Sequence, residues 1–301
     1  MMAASGLQTL RGTLLVNEPM SKHTSWKIGG EAEKMYTPVD IDDLALFLSG
    51  LPESEPVMFI GLGSNLLVRD GGVAGTVISF KGCMADIELH SGNKLSAGAG
   101  VSCAKLSRFC HRNNLVGGEF FAGIPGLLGG ALAMNAGAFG GETWSVVDSV
   151  TTIDRAGNIY TRSKDDYQIG YRSVKGHENE WFVSATMKLR SGDGEQAAEQ
   201  VKQLLKQRSE TQPTGLPSCG SVFKNPVGDY AARLIEASGL KGFRIGDAVV
   251  SEKHANFIIN SGQAKAADVE ALMQHIQQTV NDKFNVQLQS EVKVVGRYGN
   301  D

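Results

Sequence analysis

The chain of 301 residues is long enough for two or three domains of about 100–150 residues each, and its 42% apolar content supports ordinary globular cores. Lys and Arg number 29 against 32 Asp and Glu, a net charge of −3, and no basic run carries interleaved aromatics, which argues against nucleic acid as a partner. Glycine is the outlier at 37 residues, about 12% where about 7% is usual, with no fibrous period.

The opening MMAASGLQTLRGTLLVNEPM lacks the apolar core and cleavage pattern of a secretory leader. Cys83, Cys103, Cys110 and Cys219 form no C-x-x-C pair, so free thiols in a reducing cytoplasm are expected. The six histidines fall in no ligand pattern, and no metal site is expected.

Val57–Ile60 reads as a strand entering the turn Gly61-Leu62-Gly63-Ser64-Asn65-Leu66, with strands at 66–68 and 76–80 beyond it. The turn resembles the start of a dinucleotide fingerprint. Leu66 stands where the third glycine belongs, however, and no helix follows, so a Rossmann NAD site is not supported. Residues 86–89 and 94–97 flank Ser91-Gly92-Asn93 as a hairpin, and 102–113 has helical spacing.

Residues 122–141, AGIPGLLGGALAMNAGAFGG, contain seven glycines and no charge. About 20 apolar residues can cross a bilayer, but these glycines, Pro125 and Asn135 make a poor spanning helix. The alternatives are a packing loop or main chain lying directly against a bulky ligand. In the second case Pro125 suits a first helical position. A helix from 125 to about 134 would then aim its N-terminus at a phosphate.

Residues 149–154 and 158–162 read as a second hairpin, and 181–189 as a strand with Val183, Ala185, Met187 and Leu189 on one face. Tyr171-Arg172 lies between a turn and this strand. A composition change places a boundary within 191–205. Helices are expected at 197–208, at 229–238 closed by Gly239, and at 265–283 with Val269, Leu272, Met273, Ile276 and Val280 inward. Strands are expected at 247–250, 256–260 and 286–295. Ser221, in Pro217–Pro226, follows a glycine and lies near Lys224 and Asn225, but the pattern is not a nucleophile elbow. It suits either a capped turn or a held proton donor. Glu291 is either the outward residue of the last strand or a functional carboxyl.

Taken in order, Thr24–Gly30, Gly61–Val68, Gly123–Gly141, Tyr171-Arg172, Gly220–Pro226, Lys253–Asn260 and Glu291–Gly296 resemble the UDP-N-acetylenolpyruvoylglucosamine reductases. The resemblance runs from about Asn17 to Arg297 and is specific only in combination. It implies an α+β fold: a two-subdomain FAD-binding region of vanillyl-alcohol-oxidase type (1–85 and 86–195) and a C-terminal substrate domain (196–301). It implies non-covalent FAD held by Gly61, Leu62, Gly63, Ser64, Asn65 and Leu66, and by Gly123, Ile124, Pro125, Gly126, Gly129, Gly130, Asn135, Ala136, Gly137, Ala138 and Gly141.

The implied reaction takes a hydride from NADPH through the flavin to C3 of an enolpyruvyl UDP-sugar. Ser221 would protonate C2, with Arg172 and Glu291 polarising the adjoining carboxylate. Glu291 would help most as the neutral acid, which needs burial to raise its pKa. Tyr171, Lys224, Asn225, Lys241, His254 and Asn256 are candidate contacts to the UDP-sugar or the nicotinamide cofactor. A monomeric, cytoplasmic bacterial enzyme of peptidoglycan precursor synthesis, with no membrane span, is expected. The chain resembles the shorter subtype, because too few residues separate the arginine and serine segments for a tyrosine-bearing substrate loop. A flavin oxidase and a non-catalytic flavin- or nucleotide-sugar-binding module are the competing readings.

Overall fold

The computed structural model describes residues 9–299. The first eight residues of the segment read for a leader lie outside it. The chain divides into two units, each discontinuous in sequence. The first holds the segment ending at Leu15, Met35–Gly61 and Val77–Ala198. The second holds Val16–Lys34, Leu62–Thr76 and the segment from Glu199. The chain passes from one unit to the other inside the strands Thr13–Pro19, Glu31–Thr37 and Val73–Ser79.

The first unit is organised on a five-stranded antiparallel sheet. Its order is Ile159–Ser163, Val147–Asp154, Glu180–Lys188, Lys94–Gly98, Ile87–His90. Strand alternation puts Val183, Ala185 and Met187 in the core while Lys188 stays exposed. Both expected hairpins form. Helix α1 (Ile41–Gly50) starts at Asp40, whose carboxylate accepts from the Asp43 N–H; α2 (Cys103–Arg112) starts at Ser102, whose hydroxyl accepts from Lys105 N–H. Leu106 and Cys110 of α2, and Leu128, Ala131 and Leu132 of α3 (Leu128–Met134), join Leu95, Val150, Ala185 and Met187 in one core.

Helix α3 begins three residues later than its proline suggests. Gly126 N–H donates to Ile124 O and turns the chain at Pro125, and Leu127 then lies extended beside the segment before α2: Cys103 N–H donates to Gly126 O, and Ser102 pairs with Leu127. Leu128 and Gly129 then donate to the carbonyls of Val101 and Ala99 at 2.8 and 2.9 Å. Two donors of the first turn are thus engaged by main chain, and the phosphate-facing start expected at Pro125 does not form.

In the second unit, α4 (Gly194–Thr211) enters from the first, and α5 (Ala231–Ala237) and α6 (Ala266–Phe284) follow. They accompany a three-stranded antiparallel sheet, Arg244–Ile245, Ala248–Val250 and Ile258–Asn260. The five α6 residues expected inward are all buried. Asp70 caps the start of α6, accepting from Ala266 and Ala267 N–H at 2.9 and 3.0 Å. Trp26 is fully buried in this core and donates its indole N–H to Ile258 O at 2.7 Å. Helix α4, together with the strands Ser173–Lys175, Glu180–Lys188 and Arg190–Ser191, occupies most of the sequence between the arginine and serine segments, which leaves little length there for an inserted loop.

The long last strand expected over 286–295 is in fact short, Lys293–Val295, and pairs in parallel with Leu66–Val68. The residues before it serve another partner: Lys224 N–H donates to Gln289 O, and Phe223 bridges Ser290. The chain changes hydrogen-bond partners at Glu291, so no single ladder runs through it. Among the described residues, no helix is long and apolar enough to cross a membrane, and no His/Cys/Asp/Glu group could hold a metal ion.

Candidate active site

Ser221 and Glu291 are brought together by main-chain bonds in the second unit. Val222, next to Ser221, accepts from Glu291 N–H at 2.8 Å and Val292 N–H at 3.4 Å. Both Ser221 and Glu291 are half-buried, so their side chains combine restricted motion with access. The Glu291 carbonyl accepts from the Asn65 side chain at 3.1 Å, and Lys293 N–H donates to Asn65 O. The glycine turn and the carboxyl segment are therefore tied residue to residue.

The same turn is fastened to the serine segment. Cys219 Sγ lies 3.5 Å from Gly63 O and 3.4 Å from Leu66 O. Burial pushes its thiol up to about 12, which makes it a packing group rather than a nucleophile. Gly63 is left-handed at φ 59°, and an added Cβ would stand 2.2 Å from His23 O. Only glycine closes this turn.

Arg172 lies in the first unit. It and Tyr171 form the two-residue turn joining Gln168–Gly170 to Ser173–Lys175. Arg172 is left-handed at φ 51°, a conformation that L residues with long side chains rarely hold without support. Support comes from the glycine tract: its guanidinium donates to Asn135 O at 3.3 Å and Gly137 O at 2.9 Å. Asn135 is fully buried and left-handed at the end of α3. Its amide donates to Gly170 O and accepts from Trp144 N–H, both at 3.1 Å.

The tract itself divides into two kinds of glycine. An added Cβ would meet Ala138 Cβ at 2.5 Å at Gly123, Gly141 O at 2.4 Å at Gly137, and Phe120 at 2.6 Å at Gly141. These are close-packing positions. Beyond α3, Gly137–Ala138 and Gly141–Glu142 form a tight hairpin through Phe139-Gly140, both with positive φ; the sequence reading did not anticipate it. Gly130 differs: it is exposed, and nothing comes within 4 Å of where its Cβ would stand. In the first unit Gly130 is exposed and Gly61 half-buried; in the second, Leu62, Ser64, Asn65 and Leu66 are half-buried. Main chain left uncovered by side chains is chemically suited to a bulky cofactor such as FAD.

The candidate substrate contacts have unequal freedom. Tyr171 is exposed, with the Arg172 guanidinium 5.3 Å from its ring centre. Lys224 is half-buried. Lys241 pairs with Glu236 at 2.7 Å. His254 stacks edge-on with Phe257, and its Nδ1 is buried without a hydrogen-bond partner. Burial pushes its pKa down. Asn225 Oδ1 accepts from Ala231 N–H at the start of α5. Asn256 is buried, and both amide atoms bond Phe223.

Residues 33–163 match the family model described as FAD binding domain, and 212–295 match that of the UDP-N-acetylenolpyruvoylglucosamine reductase C-terminal domain. The first span contains both glycine loops; the second contains Ser221 and Glu291. Together they define an FAD-dependent oxidoreductase of α+β architecture. A UDP-N-acetylenolpyruvoylglucosamine reductase from Legionella pneumophila is 53% identical over 98% of this chain and 96% of its own length. One from Alkalilimnicola ehrlichii is 56% identical over 93% of each chain. The crystal structure of the Thermus caldophilus enzyme of that name has a TM-score of 0.79 at 30% identity, over 95% of this chain and 99% of that one. The chain belongs to the UDP-N-acetylenolpyruvoylglucosamine reductase family.

Proposed function

We propose that the protein reduces the enolpyruvyl ether of UDP-N-acetylglucosamine to UDP-N-acetylmuramate for peptidoglycan precursor synthesis, as a cytoplasmic monomer using NADPH. The observation that carries this is the bonding of the Ser221 and Glu291 segments through Val222 O, alongside the Asn65 bond to the glycine turn. Hydride transfer, from NADPH to C3 of the enolpyruvyl group, is the chemistry that FAD would supply when bound. Ser221 Oγ gives a proton to C2. Arg172 neutralises negative charge gathering on the adjoining carboxylate. Glu291, as the neutral acid, donates a hydrogen bond to that carboxylate. Tyr171, Lys224, Lys241 and His254 contact the UDP-sugar or the nicotinamide cofactor.

The test separates the two halves of the reaction in FAD-loaded enzyme. Ser221→Ala is expected to keep NADPH-driven bleaching of the flavin within about 3-fold of wild type. Reoxidation by the enolpyruvyl substrate should slow by about 10²–10⁴-fold, the range for a positioned proton donor. Equal losses in both halves, or wild-type enzyme that the enolpyruvyl substrate does not reoxidise, would reject the assignment.

A further inference from the structure

We infer that Asn256 is the positioning residue for Ser221, and not a contact to substrate. The inference rests on the reaction assigned above. Two features leave Ser221 dependent on its C-terminal neighbours. Gly220, immediately before it, is left-handed at φ 72° with nothing within 4 Å of a would-be Cβ. Glycine at such a site leaves the preceding backbone free to swivel. The orientation of the Ser221 hydroxyl is thus set by how firmly Val222 and Phe223 are held.

Asn256 holds them with three hydrogen bonds. Its main-chain carbonyl accepts from Val222 N–H at 2.9 Å. Its side-chain Oδ1 accepts from Phe223 N–H at 3.0 Å, and its Nδ2 donates to Phe223 O at 2.8 Å. The residue is 3% exposed. A buried amide making a matched donor–acceptor pair with the main chain of one residue has little to offer a ligand, because release would leave the Phe223 N–H and C=O unpaired. From the other side, Val222 O accepts from Glu291 N–H. The serine segment is clamped between Asn256 and the segment that bears the acid. Asn256 therefore fixes the spacing between the two groups that act on the substrate.

An aspartate in this place tests the clamp, because its capacity to donate depends on protonation. The neutral carboxyl has one donor and one acceptor, like the amide; the carboxylate only accepts and would face the Phe223 carbonyl. Burial and that carbonyl raise the pKa of such a carboxyl. In FAD-loaded Asn256→Asp, reoxidation by the enolpyruvyl substrate should be about 10²-fold slower than wild type at pH 8, the scale of a misplaced reacting group. It should recover to within about 10-fold as pH falls to about 5.5, each rate referred to wild type at the same pH. Flavin reduction by NADPH should stay within about 3-fold throughout. Asn256→Ala should show the slow rate at every pH and an unchanged KM for the enolpyruvyl substrate. Hydrogen exchange on the peptide covering Val222 and Phe223 supplies a readout without turnover: these amides lose protection in Asn256→Ala, while α6 amides keep theirs.

A raised KM with unchanged kcat would restore Asn256 to the substrate contacts and overturn the inference. So would an Asn256→Asp rate ratio independent of pH, equal losses in both half-reactions, or intact exchange protection. Failure of wild type to be reoxidised would instead fell the assigned reaction and the inference with it.

Discussion

The Arg172 guanidinium donates to the Gly137 carbonyl at 2.9 Å, while the Arg172 backbone is held left-handed in a two-residue turn. The side chain proposed to face the substrate carboxylate is thereby anchored on the glycine tract. Asn135 closes the arrangement from below, with its amide on Gly170 and its own carbonyl on Arg172. A strained turn that buries donors in main-chain carbonyls sets the direction of a positive charge.

Arg172→Lys keeps the charge and loses the planar fork that spans two carbonyls. The expected result is bound FAD at the wild-type ratio and enolpyruvyl-dependent reoxidation slowed by about 10²–10³-fold, the cost of one oriented anion-stabilising group. Stopped-flow reoxidation of NADPH-reduced enzyme measures it. A lysine variant at the wild-type rate would show that charge alone, not this geometry, is needed.

The two kinds of tract glycine make opposite predictions for stability and cofactor content. Gly123→Ala forces a Cβ to 2.5 Å from Ala138 Cβ, and the apo-protein should lose about 1–3 kcal/mol from overpacking. Gly130→Ala meets nothing within 4 Å and lies inside α3, so apo-protein stability should rise by about 0.5–1 kcal/mol. Gly130→Leu should keep apo stability and lower the flavin-to-protein absorbance ratio. Full flavin retention in Gly130→Leu would remove Gly130 from the cofactor's neighbours.

Periodicity made the helices readable. In α6 a wide apolar stripe leaves only one face to bury, and Val269, Leu272, Met273, Ile276 and Val280 all lie inside. The end of α5 was equally legible, because Gly239 at φ 78° supplies the left-handed turn that stops a helix. The last strand was not. Its alternating residues fit a ladder, yet Gln289 and Ser290 serve the serine segment and Lys293 begins the pairing with Leu66. A change of partner leaves no local signature, and this one falls on Glu291. The start of α3 failed for a similar reason: Val101 and Ala99 capture its first donors, at Leu128 and Gly129, from 27 and 30 residues earlier in sequence. The motifs brought Asn256 forward only as a candidate contact to the UDP-sugar or the nicotinamide cofactor, beside His254. The Asn256 bonds to Phe223 span 33 residues and follow from tertiary packing.

A buried carboxylate gives a prediction about pH. Asp43, 2% exposed, accepts from Arg11 N–H at 2.7 Å, Tyr36 O–H at 2.7 Å and Val39 N–H at 3.1 Å. Burial alone would raise its pKa; the three donors outweigh burial and hold it below the usual carboxylate range. A depressed native pKa gives stability that is complete above the unfolded value of about 3.9 and is lost as pH falls through the native one. Tyr36 works in the opposite sense. Burial, then its bond to the Asp43 carboxylate, pushes its pKa up to about 12. Its contribution is present below about pH 10 and is lost as pH rises from there towards 12. Asp43→Ala leaves the Tyr36 hydroxyl and two main-chain N–H groups without their acceptor, and should cost about 2–4 kcal/mol. Asp43→Asn keeps an acceptor and no charge, so the acid limb of the stability profile should flatten. Urea unfolding of the apo-protein from pH 3 to 11 reads both limbs. An unchanged acid limb in Asp43→Asn would assign that pH dependence to other carboxylates.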